Sequence, residues 1–214
     1  MDNPLDAVAL RVLGSLIEKE STTPDNYPLT INALVAACNQ STNREPVMSL
    51  DEAVVRSALD DLKRHSLVHE VYRSDSRAKR FRHVLAEKLS LHPAEMALLC
   101  VLMLRGPQTT GEIRTRSARM FEFRDLKHVE VTLDALLTLS TPLVAQLPRQ
   151  PGQKEVRYAQ LLGEEPPVAA AEPKRADDEV PPDRLAALEQ EVATLRSQLA
   201  ELRAAFEQFR QQFQ

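Results

Sequence analysis

Apolar residues recur along this chain at two spacings, and each change of spacing marks an element. Leu50, Val54, Val55, Ala58, Leu59 and Leu62 share one side of a 3.6-residue repeat, which predicts a helix with one buried face. Ser49, three residues before Glu52, has the spacing of a capping box and is the expected start of that helix. Stretches 67–73 and 80–85 are then rich in Val, Tyr and Phe around a polar segment at 74–79, which predicts two strands joined by a loop. Upstream, Asn3 and Pro4 suit a helix start, and Leu5, Val8, Ala9, Val12, Leu13, Leu16 and Ile17 carry an amphipathic helix to about Glu20. A shorter helix is expected from Thr30, with Ile31, Leu34, Val35 and Cys38 inward.

The same order repeats. His92 and Pro93 open a helix with Met96, Leu99, Cys100, Met103 and Leu104 apolar, and Gly106 with Pro107 closes it. Thr109 and Glu112 repeat the capping-box spacing before a short helix to about Ser117. A third helix is expected over 125–140, with Leu126, Val129, Leu133, Leu136 and Leu137 inside, followed by strands at 143–147 and 155–161. Val55, Leu59, Asp60 and Leu62 match Val129, Leu133, Asp134 and Leu136 at a constant offset, so duplication of one unit is the simpler account. Three helices and a hairpin are the order of a winged helix. The expected fold is mainly α with small β-hairpins: winged-helix domains at 1–86 and 87–162, an acidic Pro/Ala linker at 163–182 and a coiled-coil helix at 183–214.

The tail has the most regular pattern. Leu185, Leu188, Val192, Leu195, Leu199, Leu202, Phe206, Phe209 and Phe213 alternate in steps of three and four, the seam of a coiled coil. With Leu185 at position a, Arg184 can meet Glu189 and Glu191 can meet Arg196 across a parallel pair, which favours a parallel homodimer. A helix folding back on the body is the alternative, and three successive core phenylalanines leave larger bundles open.

Composition narrows the function. The net charge of -4 resides at the two ends, and residues 1–162 are close to neutral, so nucleic-acid binding would have to come from local clusters. Tryptophan is absent and aromatics make up 4%, which disfavours base-stacking platforms. Cys38 and Cys100 fall in apolar stripes and are expected to be small buried thiols. No secretory segment follows Met1 and no apolar run reaches the ~18 residues of a membrane span, so a cytoplasmic protein without membrane contact is expected. Neither a phosphate-cradling loop nor a nucleophile elbow is present, and five glycines leave little room for one. His65 and His69 straddle a predicted helix end, and His83 would reach them only by the fold of the hairpin, so no metal site is expected. No cofactor or catalytic residue is expected, and the protein is read as a non-enzyme.

Two basic clusters stand out. Arg73, Arg77, Lys79, Arg80 and Arg82 crowd the first hairpin, and Arg114, Arg116, Arg119, Arg124 and Lys127 surround the short helix and the start of the third in the second unit. Either could contact duplex backbone, and a hairpin tip so charged could equally be a protected sheet edge. The first third helix suits base readout less well. Glu52, Arg56, Asp60 and Arg64 alternate in sign every four residues and can satisfy one another. The polar run at 39–46 includes Asn43 and Arg44, which could donate to phosphates or simply hold a turn.

The phrases Pro24-Asp-Asn-Tyr-Pro-Leu-Thr-Ile-Asn-Ala-Leu34, Ala37-Cys-Asn-Gln-Ser-Thr-Asn-Arg-Glu-Pro-Val-Met48 and Arg105-Gly-Pro-Gln-Thr-Thr-Gly-Glu-Ile-Arg114 resemble the YceH family of bacterial proteins over about residues 5–162. That resemblance implies a tandem winged-helix body, a C-terminal coiled coil and a bacterial cytoplasm, in a family of largely uncharacterised role. Residues and resemblance together lead to the expectation of a non-enzymatic DNA-binding or regulator-like protein that touches double-stranded DNA through both clusters. A protein-interaction scaffold without nucleic acid is the alternative.

Overall fold

The computed structural model describes residues 4–72, 78–149, 153 and 155–163. The expected linker at 163–182, all but its first residue, and the whole expected coiled coil at 183–214 lie outside the described residues, as do Arg73 and Arg77.

The described residues form a mostly helical structure with two small antiparallel sheets. Helices α1 (Ala7–Thr22), α2 (Ile31–Cys38) and α3 (Glu52–Arg64) are followed by strands β2 (Val68–Tyr72) and β3 (Lys79–His83), and β1 (Leu29–Thr30) precedes α2. A short α4 (Leu85–Leu89) leads to α5 (Pro93–Arg105), α6 (Thr110–Ser117), α7 (Leu126–Leu137), β4 (Val144–Gln146) and β5 (Tyr158–Gln160). The first sheet has the order β1-β3-β2, with Leu29 opposite Phe81 and Val68 opposite His83. The second pairs β4 with β5, Val144 opposite Gln160. No helix among the described residues is long and apolar enough to cross a membrane.

The two halves repeat one hydrogen-bond scheme. Leu67 N–H donates to Leu62 at 2.9 Å and Leu67 C=O accepts from Val84 at 2.9 Å; Leu143 N–H donates to Leu136 at 3.1 Å and its C=O accepts from Leu161 at 2.9 Å. In each case a leucine in the turn after the third helix bonds back to that helix and pins the far end of the hairpin. Before each second helix a residue bridges the hairpin's returning strand, Leu29 to Phe81 and Gln108 to Tyr158. The matched positions behave alike: Val55, Leu59 and Leu62 are buried, as are Val129, Leu133 and Leu136.

Local signals set most helix ends. Thr30 caps α2, Asp125 caps α7 through His128 N–H at 2.7 Å, and Thr109 and Glu112 form the expected capping box of α6. Two starts differ from expectation. Asp51, not Ser49, caps α3 through Val54 N–H at 2.8 Å, because the Asn39 amide takes both backbone groups of Leu50, at 2.8 and 2.7 Å, and holds that residue outside the helix. Asp6, not Asn3, caps α1, because Leu5 N–H is bonded to Leu162 C=O at 3.0 Å. Leu126, expected inside, is exposed at the first position of α7, and Leu85, expected to end a strand, instead begins α4.

The expected boundary at 86/87 does not separate two cores. One hydrophobic cluster runs from Leu5 to Leu162, with α1 laid against α5 at its centre. Helix α5 is buried continuously from Met96 to Leu104. Gly14 is where α1 meets it: a Cβ there would stand 2.9 Å from Leu104 Cδ2 and 3.2 Å from Met103 Cβ. Alanine would gain about 1 kcal/mol of helix propensity but overpack a contact at a cost of about 1–3 kcal/mol. Gly14→Ala is therefore expected to lower stability by about 1 kcal/mol in urea titration. A gain of that size would mean that the two helices separate without penalty.

Candidate functional site

Three basic residues of the first hairpin, Lys79, Arg80 and Arg82, have partners within the protein. Lys79 pairs with Glu70 at 2.9 Å, and Glu70 also accepts from Tyr72 at 2.7 Å and from Lys63 at 3.3 Å. The Tyr72 hydroxyl and then Lys79 hold the Glu70 carboxyl down at about 2. Arg82 pairs with Glu87 at 2.8 Å, and Arg80 turns inward to donate to Pro28 C=O at 2.9 Å. All three therefore already have an acceptor within the protein.

The 39–46 loop is also internally bound. Arg44, expected as a phosphate donor, has a side chain 0% exposed and grips Glu18 of α1 at 2.6 and 3.2 Å, with Ala37 C=O at 2.9 Å. This corrects the phosphate-donor expectation, because a guanidinium taken out of water needs its acceptors inside the protein. Burial pushes the Glu18 carboxyl up, but hydrogen bonding and charge from Arg44, with Lys19, more than offset it and leave Glu18 below its ordinary value. Arg11, also buried, donates to Cys38 C=O at 3.1 Å and Pro46 C=O at 2.6 Å, so two arginines fasten this loop to α1. Asn43 takes the left-handed conformation, φ 59°, which asparagine tolerates better than most residues, and its side-chain oxygen accepts from Arg105.

The second cluster is only partly engaged. Arg114 donates to the carbonyls of Phe123 and Arg124 at 3.4 and 3.1 Å and so closes the turn before α7. Arg116 donates to Gln108 and lies 3.5 Å from Glu112, and Lys127 pairs with Glu130 at 3.3 Å. Arg119 and Arg124 are exposed and have no ion pair with another described residue. Among the described residues of the two predicted clusters, Arg119 and Arg124 alone have neither an ion pair nor a side-chain hydrogen bond to another described residue.

The fold adds to Arg116 and Arg119 two cations that sequence reasoning missed, Arg105 and Arg157. Arg105, in the last turn of α5, joins Arg116 and Arg119 around a cavity of about 290 Å³ floored by Val101, Leu104 and Met120. Across Arg105 and Arg116 a second cavity of about 480 Å³ reaches Arg157. Arg157 donates to Glu112 and to Pro107 C=O, at 2.8 and 2.9 Å. Burial and the positive charge of Arg116 push Arg105 below its ordinary value. Arg105 stands directly before Gly106 and Pro107, a segment that sequence reasoning used as a helix stop and as part of a family phrase, not as a cation site. The signal for Arg11 and Glu18 was fuller. They lie seven apart on α1, on one helical face, and Arg11 interrupts an apolar stripe.

A sequence profile described as a protein of unknown function, DUF480, matches residues 5–153. A UPF0502 protein of Azoarcus sp. is 51% identical over 212 residues, covering 98% of this chain and 94% of that one. Another, of Geobacter sulfurreducens, is 51% identical over 221 residues and spans both chains fully, and one of Pelobacter propionicus is 49% identical over 222 residues. The chain therefore belongs to the DUF480/UPF0502 family of bacterial proteins.

Proposed function

We propose that this is a non-enzymatic tandem winged-helix protein that binds another protein through the exposed faces of α3 and α7, and that residues 183–214 join two copies as a parallel dimer. The repeated scheme of three helices, a hairpin and a strand-like bridge before the second helix supports the winged-helix reading. The observation that carries the binding mode is the state of the third helices. Every Lys and Arg on them is already paired: Arg56 with Glu52, Lys63 with Asp60, Arg64 with Asp61 and Lys127 with Glu130. Their exposed faces also present Val54, Leu126 and Val131. A base-reading helix needs free donors and a positive approach to phosphate; these faces offer apolar area and neutralised charge instead. Nuclease-treated affinity capture from the bacterium should recover a stoichiometric protein. Leu126→Glu with Val131→Glu should reduce its recovery about tenfold, equivalent to about 1.4 kcal/mol. Recovery unchanged by that pair would overturn the reading.

Contact with duplex backbone is the second reading, favoured by the two unpaired arginines, Arg119 and Arg124. It expects affinity for double-stranded DNA that falls steeply with salt, and a loss of at least about tenfold in Arg119→Glu/Arg124→Glu. Absence of duplex binding at low salt would remove it.

A further inference from the structure

We propose that the cleft between α5, α6 and the 39–46 loop is a binding site for a small phosphate monoester, with the phosphate held by Arg105, Arg116 and Arg119 and a compact apolar body resting on Leu104 and Met120. This does not depend on the winged-helix or partner readings, since it uses neither exposed face of α3 or α7.

Three observations converge on it. The first is charge without balance. Arg105, Arg116 and Arg119 line one cavity, and the carboxylate residue of its lining, Glu18, is already taken by Arg44 and Lys19. Glu112, the nearest acid to Arg116, lies 3.5 Å from it but 2.8 Å from Arg157. Among the described residues Arg105 has no carboxylate partner, only the Asn43 side-chain oxygen. Holding guanidiniums together in a partly desolvated place is unfavourable, and arginine cannot relieve it by losing its proton, so an anion is the natural complement.

The second is shape. A cavity of about 290 Å³ sits at the lower limit of small-molecule pockets, which run from about 300 to 1,000 Å³. That volume admits one phosphate with a small organic group. Planar guanidiniums bind phosphate oxygens two at a time, and a dianion makes better use of three of them than a monocarboxylate does. The third is support. Asn43 orients Arg105, Gln108 orients Arg116, and Arg44 with Arg11 fixes the loop that carries Asn43. Arg105 and Arg116 are therefore held in place before any ligand arrives, which reduces the ordering cost of binding.

The test uses the full-length protein at constant ionic strength, with phenyl phosphate as probe in calorimetric titration and thermal melting. Saturable binding with a raised melting temperature is expected, stronger than with inorganic phosphate, which lacks the apolar body, and stronger than with benzoate, which carries one charge. Arg119→Ala, at an exposed position, should weaken phenyl phosphate binding about tenfold, the loss of one charge-assisted contact, and Arg105→Gln should do the same. Arg124→Ala, outside the cleft, should leave it unchanged. No saturable binding, equal binding of benzoate, or an equal loss in Arg124→Ala would overturn the assignment. Arg119→Ala decides the matter even if Arg105→Gln fails to fold.

Discussion

Glu18→Ala is expected to destabilise the protein by about 3–5 kcal/mol, the range for removing one partner of a buried ion pair. The Arg44 side chain is 0% exposed and would keep only carbonyl and amide acceptors, Ala37, Asn43 and Gln40, for a full positive charge. Arg11 adds a second buried cation whose own charge is already disfavoured by burial and by Arg44. Replacing both partners, Glu18→Leu with Arg44→Leu, should cost less than Glu18→Ala alone, because no unpaired charge then remains inside. Urea titration of the three proteins decides this. A loss below about 1 kcal/mol in Glu18→Ala would mean that water reaches Arg44. The pH dependence has a definite sign. Glu18 is held below its ordinary value of 4.5 in the folded state, so its contribution is present above that value and is lost as pH falls through the lower, folded one. Acid unfolding should therefore be less steep in Glu18→Ala than in the parent over that window.

Leu99→Ala should cost about 2–5 kcal/mol, as expected for a cavity at a site with no solvent access. Leu99 lies on α5, which packs against α1 on one side and α6, α7 and β5 on the other, so the cavity opens where the two halves share their core. Hydrogen exchange read by mass spectrometry should show α3 and α7 losing protection together at one lowered free energy. If α7 opened while α3 kept its protection, the halves would be independent domains after all, and the continuous core between them would not couple their unfolding.

The inward arginines account for the main difference between the sequence reading of the site and the site itself. Arginine and lysine at a hairpin tip and beside a short helix look like a cationic surface when read along the chain. Some cations have remote partners: Arg80 of the hairpin donates to Pro28, and elsewhere Arg44 binds Glu18 and Arg157 binds Glu112. Since attraction between charges falls with distance through space, a count along the chain cannot tell a free cation from a neutralised one. For the same reason Arg105 was read as the end of a helix, although it lies with Arg116 and Arg119 around one cavity.

Short-range chemistry is legible in the order of residues alone. The helical stripes at Val55, Leu59 and Leu62 and at Val129, Leu133 and Leu136, the caps at Thr30, Thr109 and Asp125, and the hairpin strands all depend on residues within a few positions of one another. Tertiary structure alone decided the pairing of Leu29 with Phe81, the displacement of the α3 cap from Ser49 to Asp51 by Asn39, the single core around α1 and α5, and which arginines are buried. These are contacts between residues far apart in the chain, and their free energy exists only once the intervening chain has been ordered.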